Sequence, residues 1–233
     1  MKTFIVSSIS AAMLAASPAA AATWSAYDQF AVANGAITAS DFAFGYGASS
    51  YAGADAILGF STIAAQCPGD ALIQCALVSG NLPGVFKANG AYDSPGTPFF
   101  DAGELNLHPG SAGEVAIVQF VAPRAGLYSF AGAFSANDTT PNSVDVAAWV
   151  GGVGQIANSL GAFSFDASLT AGQKVSFSVG AAGNYAFDST GFALDVTGPD
   201  AAGGVPEPAS WTMMILGFGG AGAMMRRRRL SPT

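Results

Sequence analysis

From Trp24 to Val196 short apolar runs alternate with Gly, Asn, Asp and Pro, a pattern that predicts many short antiparallel strands rather than helices. The clearest runs are Val115 to Val121, Gly126 to Phe134, Val144 to Val150, Phe163 to Leu169, Lys174 to Val179 and Phe192 to Val196. Ala122-Pro123-Arg124-Ala125-Gly126 makes a turn between the first two. Strict alternation turns Val175, Phe177 and Val179 inward on one strand, and Phe192, Leu194 and Val196 inward on another. No stretch of the body holds a helical period beyond about two turns. The weakly patterned stretches 48–65 and 81–100 are expected to be loops or irregular edge strands. About ten strands, each with one apolar face, are most economically buried in two packed sheets, an all-β, jelly-roll-like antiparallel β-sandwich.

The pattern changes at both ends. Lys2 is followed by an uncharged apolar run from Thr3 to Ala16, then Ser17-Pro18 and a string of alanines. This is the layout of a signal peptide over 1–22, cut by signal peptidase after Ala22 or one residue earlier. The sandwich is placed at 23–197, and the Gly/Pro/Ala-rich stretch 198–204 reads as a linker. In the tail, 205–233, eighteen uncharged residues separate Glu207 from Arg226. They are enough for about 27 Å of helix at about 1.5 Å per residue, slightly short of a hydrocarbon core of about 30 Å. Trp211 suits one interface, and Arg226, Arg227, Arg228 and Arg229 would hold the other end in the cytoplasm, leaving the body outside.

Pro206-Glu207-Pro208, Trp211, the Met-Met-Ile and Gly-Phe-Gly-Gly stretches and the Arg run together resemble the PEP-CTERM sorting domain in its PEPxxWA variant, with Thr212 where Ala is usual. The resemblance implies recognition by an exosortase, a membrane-embedded cysteine protease, and release or transfer to the cell surface, often with exopolysaccharide. A plain C-terminal anchor that stays uncut is the alternative. In the body, Leu105-Asn106-Leu107-His108-Pro109-Gly110, the Val115 to Phe120 run, Ala125-Gly126-Leu127-Tyr128, Gly132-Ala133-Phe134 and Asp188-Ser189-Thr190-Gly191 resemble jelly-roll modules such as carbohydrate-binding modules. That likeness implies a fold more than a ligand.

Charge narrows the partners. The formal charge is −7, but five of the eight basic residues lie in the terminal segments. Between 23 and 205, Lys87, Arg124 and Lys174 stand against fourteen acids, a formal −11. So acidic a body repels phosphate backbones, which argues against nucleic acid and suits cations or a polymer matrix. Cys67 and Cys75, eight positions apart around Pro68-Gly69, are expected to form a small-loop disulfide in an oxidising compartment.

Catalytic chemistry is sparse. His108 is the only histidine and precedes Pro109-Gly110, where a turn role is the simpler reading. No Gly-x-Ser-x-Gly elbow, P-loop, His-Glu-x-x-His or paired CxxC occurs. Glu104 and Glu114 are the candidate pair if the chain were a glycoside hydrolase. No cofactor is expected beyond structural calcium, for which Asn137-Asp138-Thr139 and the loop Asn184 to Ser189 offer hard oxygen donors, although such residues also simply form turns. For sugar binding, alternation puts Asp145 and Trp149 on the same face of their strand. If that face meets solvent, Trp149 is a stacking platform with a carboxylate beside it; if it lies under another segment, it is core. The expectation is an exported, non-catalytic surface or matrix protein associated with exopolysaccharide, with a sugar-binding module and a secreted hydrolase as alternatives.

Overall fold

A computed structural model of the chain describes residues 21–53, 56–78, 82–88, 100–138, 144–151, 153–199 and 214–218. In chain order the strands of the body are β1 (Ala21–Ser25), β2 (Val32–Ala33), β3 (Ala36–Ile37), β4 (Phe42–Gly47), β5 (Thr62–Ala64), β6 (Ile73–Leu77), β7 (Gly84–Ala88), β8 (Leu105–His108), β9 (Val115–Val121), β10 (Gly126–Ala136), β11 (Val144–Val150), β12 (Val153–Ala157), β13 (Gly161–Leu169), β14 (Lys174–Ala181) and β15 (Thr190–Pro199). A single helical turn, α1 (Ala26–Gln29), follows β1. Its N-cap is Ser25, whose hydroxyl accepts from the Asp28 amide. The runs expected at Val115 to Val121 and Val144 to Val150 have the boundaries read from the sequence, and the other four extend by a few residues. Stretches 48–65 and 81–100, expected to be loops or irregular edge strands, contribute the short edge strand β5 and also β7, which is interior to its sheet between β6 and β8.

All ladders are antiparallel, and two sheets make a sandwich. One has the order β13-β10-β15-β8-β7-β6-β5, with β1 added to β15; the other has the order β12-β11-β14-β9-β4. From β8 onward, every connection except β11 to β12 carries the chain from one sheet to the other.

The expected inward faces meet between the sheets. Val175, Phe177 and Val179 from β14 and Phe192, Leu194 and Val196 from β15 are all buried in one core. Aromatic rings lock the layers together: Phe177 lies 5.3 Å from Phe192 and 5.5 Å from Phe163, and Phe120 lies 5.6 Å from both Phe130 and Trp24, centroid to centroid. Each such pair adds roughly 0.5–1.5 kcal/mol beyond the area it buries. The opposite face of β9 and β14 is also covered, since Gln119, Ser176 and Ser178 are buried. There the Gln119 amide donates to the Ser176 hydroxyl (2.9 Å) and to the Tyr51 hydroxyl (3.3 Å), which ties the segment after β4 over the sheet.

The ends of the body depart from the boundaries expected for it. Ala21 and Ala22 pair with Pro199 and Gly198, so β1 begins inside the segment read as signal peptide and β15 runs two residues into the stretch read as linker. Cleavage after Ala22 would leave Thr23, Trp24 and Ser25 paired with Thr197, Val196 and Asp195. Gly198 has a packing role, because a β-carbon there would run into the ring of Tyr128, a fully buried residue that donates its hydroxyl to the Arg124 carbonyl (2.9 Å). Gly198→Ala is therefore expected to lower stability by about 1–3 kcal/mol, read as the urea midpoint. A linker role for Gly198 requires no change.

Candidate functional site

The sorting residues Pro206, Glu207, Pro208, Trp211, Arg226, Arg227, Arg228 and Arg229 lie outside the described residues, as do 1–20 of the signal peptide. Residues 214–218 are helical, and among the described residues no helix is long and apolar enough to cross a membrane.

Cys67 and Cys75 form the expected disulfide, with Cα atoms 5.3 Å apart. Local backbone bonds bring them together. The Asp70 amide donates to the Cys67 carbonyl (2.9 Å) and the Cys67 amide to the Ile73 carbonyl (2.7 Å), folding Pro68-Gly69 back on β6.

Trp149 does not offer a platform to solvent. Gly53 backs onto its Cβ and Cγ so closely that no β-carbon would fit there, and its indole Nε1 is buried without a hydrogen-bond partner among the described residues. The ring is half-buried under the 48–53 segment, the core alternative of the sequence reading. Asp145 is exposed at the start of β11, four residues away, or about 13 Å along a strand at about 3.3 Å per residue. The two share a face without forming one site.

The structure instead gathers polar groups at the end of the first sheet where β10 leaves and β15 enters. Glu104, just before β8, accepts from the Ser135 hydroxyl (2.9 Å) and the Asn137 side-chain amide (2.5 Å). Glu114 is held in its own turn by the Ala112 amide (3.0 Å). The two loops singled out for oxygen donors meet here: the Asn137 amide donates to the Ser189 carbonyl (3.0 Å), and the Ser189 amide donates to Asp138 Oδ2 (2.8 Å). Asp188 is completely buried, and both its carboxylate oxygens lack hydrogen-bond partners among the described residues. Burial, reinforced by the nearby charge of Asp138, pushes its pKa up to about 6.

His108 closes β8 beside this cluster. Its Nδ1 meets the Pro109 carbonyl at 2.8 Å, as a turn role requires. Burial lowers its pKa, while that carbonyl and the charge of Asp138 act in the opposite direction. The ring of Tyr185 stands edge-on to the imidazole at 6.4 Å. Tyr185 and Phe187 are exposed on the same loop, at 39% and 53% of full accessibility, and Phe187 is held at φ +66°, a left-handed conformation rarely adopted by a bulky side chain.

The sequence reading missed the burial of Asp188, although a signal for it was present. The inward phase of Phe192, Leu194 and Val196, continued backward by two and then four residues, falls on Thr190 and Asp188, and both are fully buried. The exposure of Tyr185 and Phe187 had no such signal, because their loop has no period.

An all-β sandwich carrying a C-terminal processing segment defines the class. Residues 204–229 match the PEP-CTERM protein-sorting motif. No curated protein matches the chain. The motif indicates an exported protein with a transient C-terminal membrane anchor, processed by an exosortase-type protease. Export also brings Cys67 and Cys75 to compartments where disulfides persist. For a bridge of sequence separation 8, the chain-entropy relation gives about 2–3 kcal/mol, so the Cys67→Ser, Cys75→Ser double variant is expected to lose about that much in chemical denaturation.

Proposed function

We propose that the chain is a non-catalytic component of the cell surface or extracellular matrix, delivered and cut through its tail and associated there with exopolysaccharide. The observation that carries this reading is the sorting motif at 204–229 attached to an acidic β-sandwich. The strand order supports a jelly roll for the body, since β13-β10-β15-β8 and β12-β11-β14-β9 reproduce the two interleaved four-stranded sheets of that fold. Local commitments favour a structural role over catalysis. Glu104 is engaged by Ser135 and Asn137, Glu114 by a backbone amide, and His108 by the carbonyl next to it.

The test is the mass of the mature protein. Mass spectrometry of material from wild-type cells is expected to find a C-terminus lacking Arg226 to Arg229, and cells without the exosortase should retain them. An intact tail in wild-type cells would sink sorting-linked cleavage.

A second reading, sugar binding, is favoured by the exposed pair Tyr185 and Phe187 on the loop before β15. Rings at the surface of a loop with polar neighbours such as Asn184 are suited to stacking on pyranose faces. Affinity-gel electrophoresis in the producing cell's own exopolysaccharide is expected to retard the protein, with Tyr185→Ala and Phe187→Ala each weakening binding about tenfold and Trp149→Phe leaving it unchanged. Equal retardation of all variants would remove this loop as the contact.

A further inference from the structure

A carboxylate sealed from water needs a proton, a fixed cation or strong donors to offset the lost hydration. Asp188 is 0% exposed, and neither of its oxygens has a donor among the described residues. The body has few positive side chains to offer. Lys87 is committed elsewhere, donating to the carbonyls of Tyr27 (2.6 Å) and Phe30 (3.0 Å) and lying 4.1 Å above the Tyr27 ring. Lys174 pairs with Val121 at the far end of β9, and Arg124 sits in the turn beyond it, whereas Asp188 adjoins the end of the sandwich where His108 lies and β9 begins. Asp138 adds a second negative charge next to Asp188, and the hydrogen bonds through Ser189 hold the two loops together despite it.

We propose that Asp138 and Asp188, joined where the 137–138 turn crosses the segment leading into β15, form a binding site for a divalent cation of the calcium class. Asp138 Oδ2 serves the Ser189 amide, and among the described residues no donor is assigned to its Oδ1 or to either oxygen of Asp188, so these three oxygens face the ion. Among the described residues no three His, Cys, Asp or Glu side chains converge as a metal cluster, so the rest of the coordination would come from backbone carbonyls and, on the half-buried Asp138 side, water. An all-oxygen set assembled from loops favours calcium over zinc, which prefers nitrogen and sulfur. With two carboxylates the affinity belongs in the range of extracellular modules, about 10⁻⁴ to 10⁻³ M. The ion would pin the loop that displays Tyr185 and Phe187, so its effect on stability is separable from any sugar contact.

The experiment is thermal unfolding and calorimetric titration of the exported protein, purified as the cells process it, stripped with chelator and then supplied with CaCl2 alone. At ten times the dissociation constant the wild type is expected to gain about 4 °C in Tm, with one ion bound per chain. Asp188→Asn should show no calcium-dependent gain, and Asp138→Asn a reduced one. No gain in the wild type, the same gain in Asp188→Asn, or an equal gain from NaCl at matched ionic strength overturns the site. Should Asp188→Asn fail to fold, the wild-type stoichiometry and Asp138→Asn decide the question: a stoichiometry far from one, or an undiminished gain, counts against it. The melts contain no saccharide, so failure here leaves the surface-protein reading standing, and failure of that reading leaves the site untouched.

Discussion

Much of the structure depends on β15, whose hydrogen bonds are claimed on both edges. Its residues pair with β10 on one side and with β8 and β1, end to end, on the other, while Phe192, Leu194 and Val196 drive into the core between the sheets. A strand held this way has no freedom to slip, because a one-residue shift would exchange those three side chains for Ala193 and Asp195. Its fixed register also sets what happens at its two ends. At the entrance Asp188 is carried inward in the same phase as the core residues, and at the exit Gly198 is set against Tyr128 and Pro199 against β1.

The inner faces of the sandwich were legible because alternation says which side chains share a side. Val175, Phe177 and Val179 and their partners on β15 were readable for that reason. Alternation does not say what covers the second side. Gln119, Ser176 and Ser178 lie on the side opposite Val175, Phe177 and Val179, yet they are buried, and Trp149 on the neighbouring strand is roofed by Gly53. The covering segment has no period, so nothing in its local sequence announces that it lies on a sheet. Alternation therefore left Trp149 open between platform and core, and Tyr185 and Phe187 escaped notice for the converse reason: irregular segments hide their exposure as well as their packing. The disulfide was legible because eight residues around a Pro-Gly turn leave few other arrangements for two cysteines in an exported chain.

Scarcity of positive charge shapes how the body accommodates its acids. Asp41 is met by the Trp24 indole (3.1 Å) and the Ser40 hydroxyl (2.6 Å), Glu104 by a hydroxyl and an amide, and Asp70 by the Leu72 amide (2.9 Å). These are neutral donors, and hydrogen bonds to a charged acceptor are stronger than those between neutral groups. Among the described residues, Asp188 is buried without such donors, and its charge calls for another kind of counterion.

The two ends of the chain give this charge pattern its meaning. Four of the eight basic residues are Arg226 to Arg229 in the tail, where a positive cluster stops a membrane span from being pulled through. On the proposed reading, cleavage discards them and leaves the body with its formal −11 outside the cell. There, an acidic protein and an acidic polysaccharide would repel each other at low salt, so association would have to come from contacts that do not depend on net charge, or from cations shared between the two. On the sugar-binding reading the exposed Tyr185 and Phe187 would supply the first, and a divalent ion held at the base of the same loop would order the rings while removing local negative charge. On the proposed reading the tail accounts for delivery, and the crossing of the 137–138 and 182–190 segments would be where the delivered body holds on.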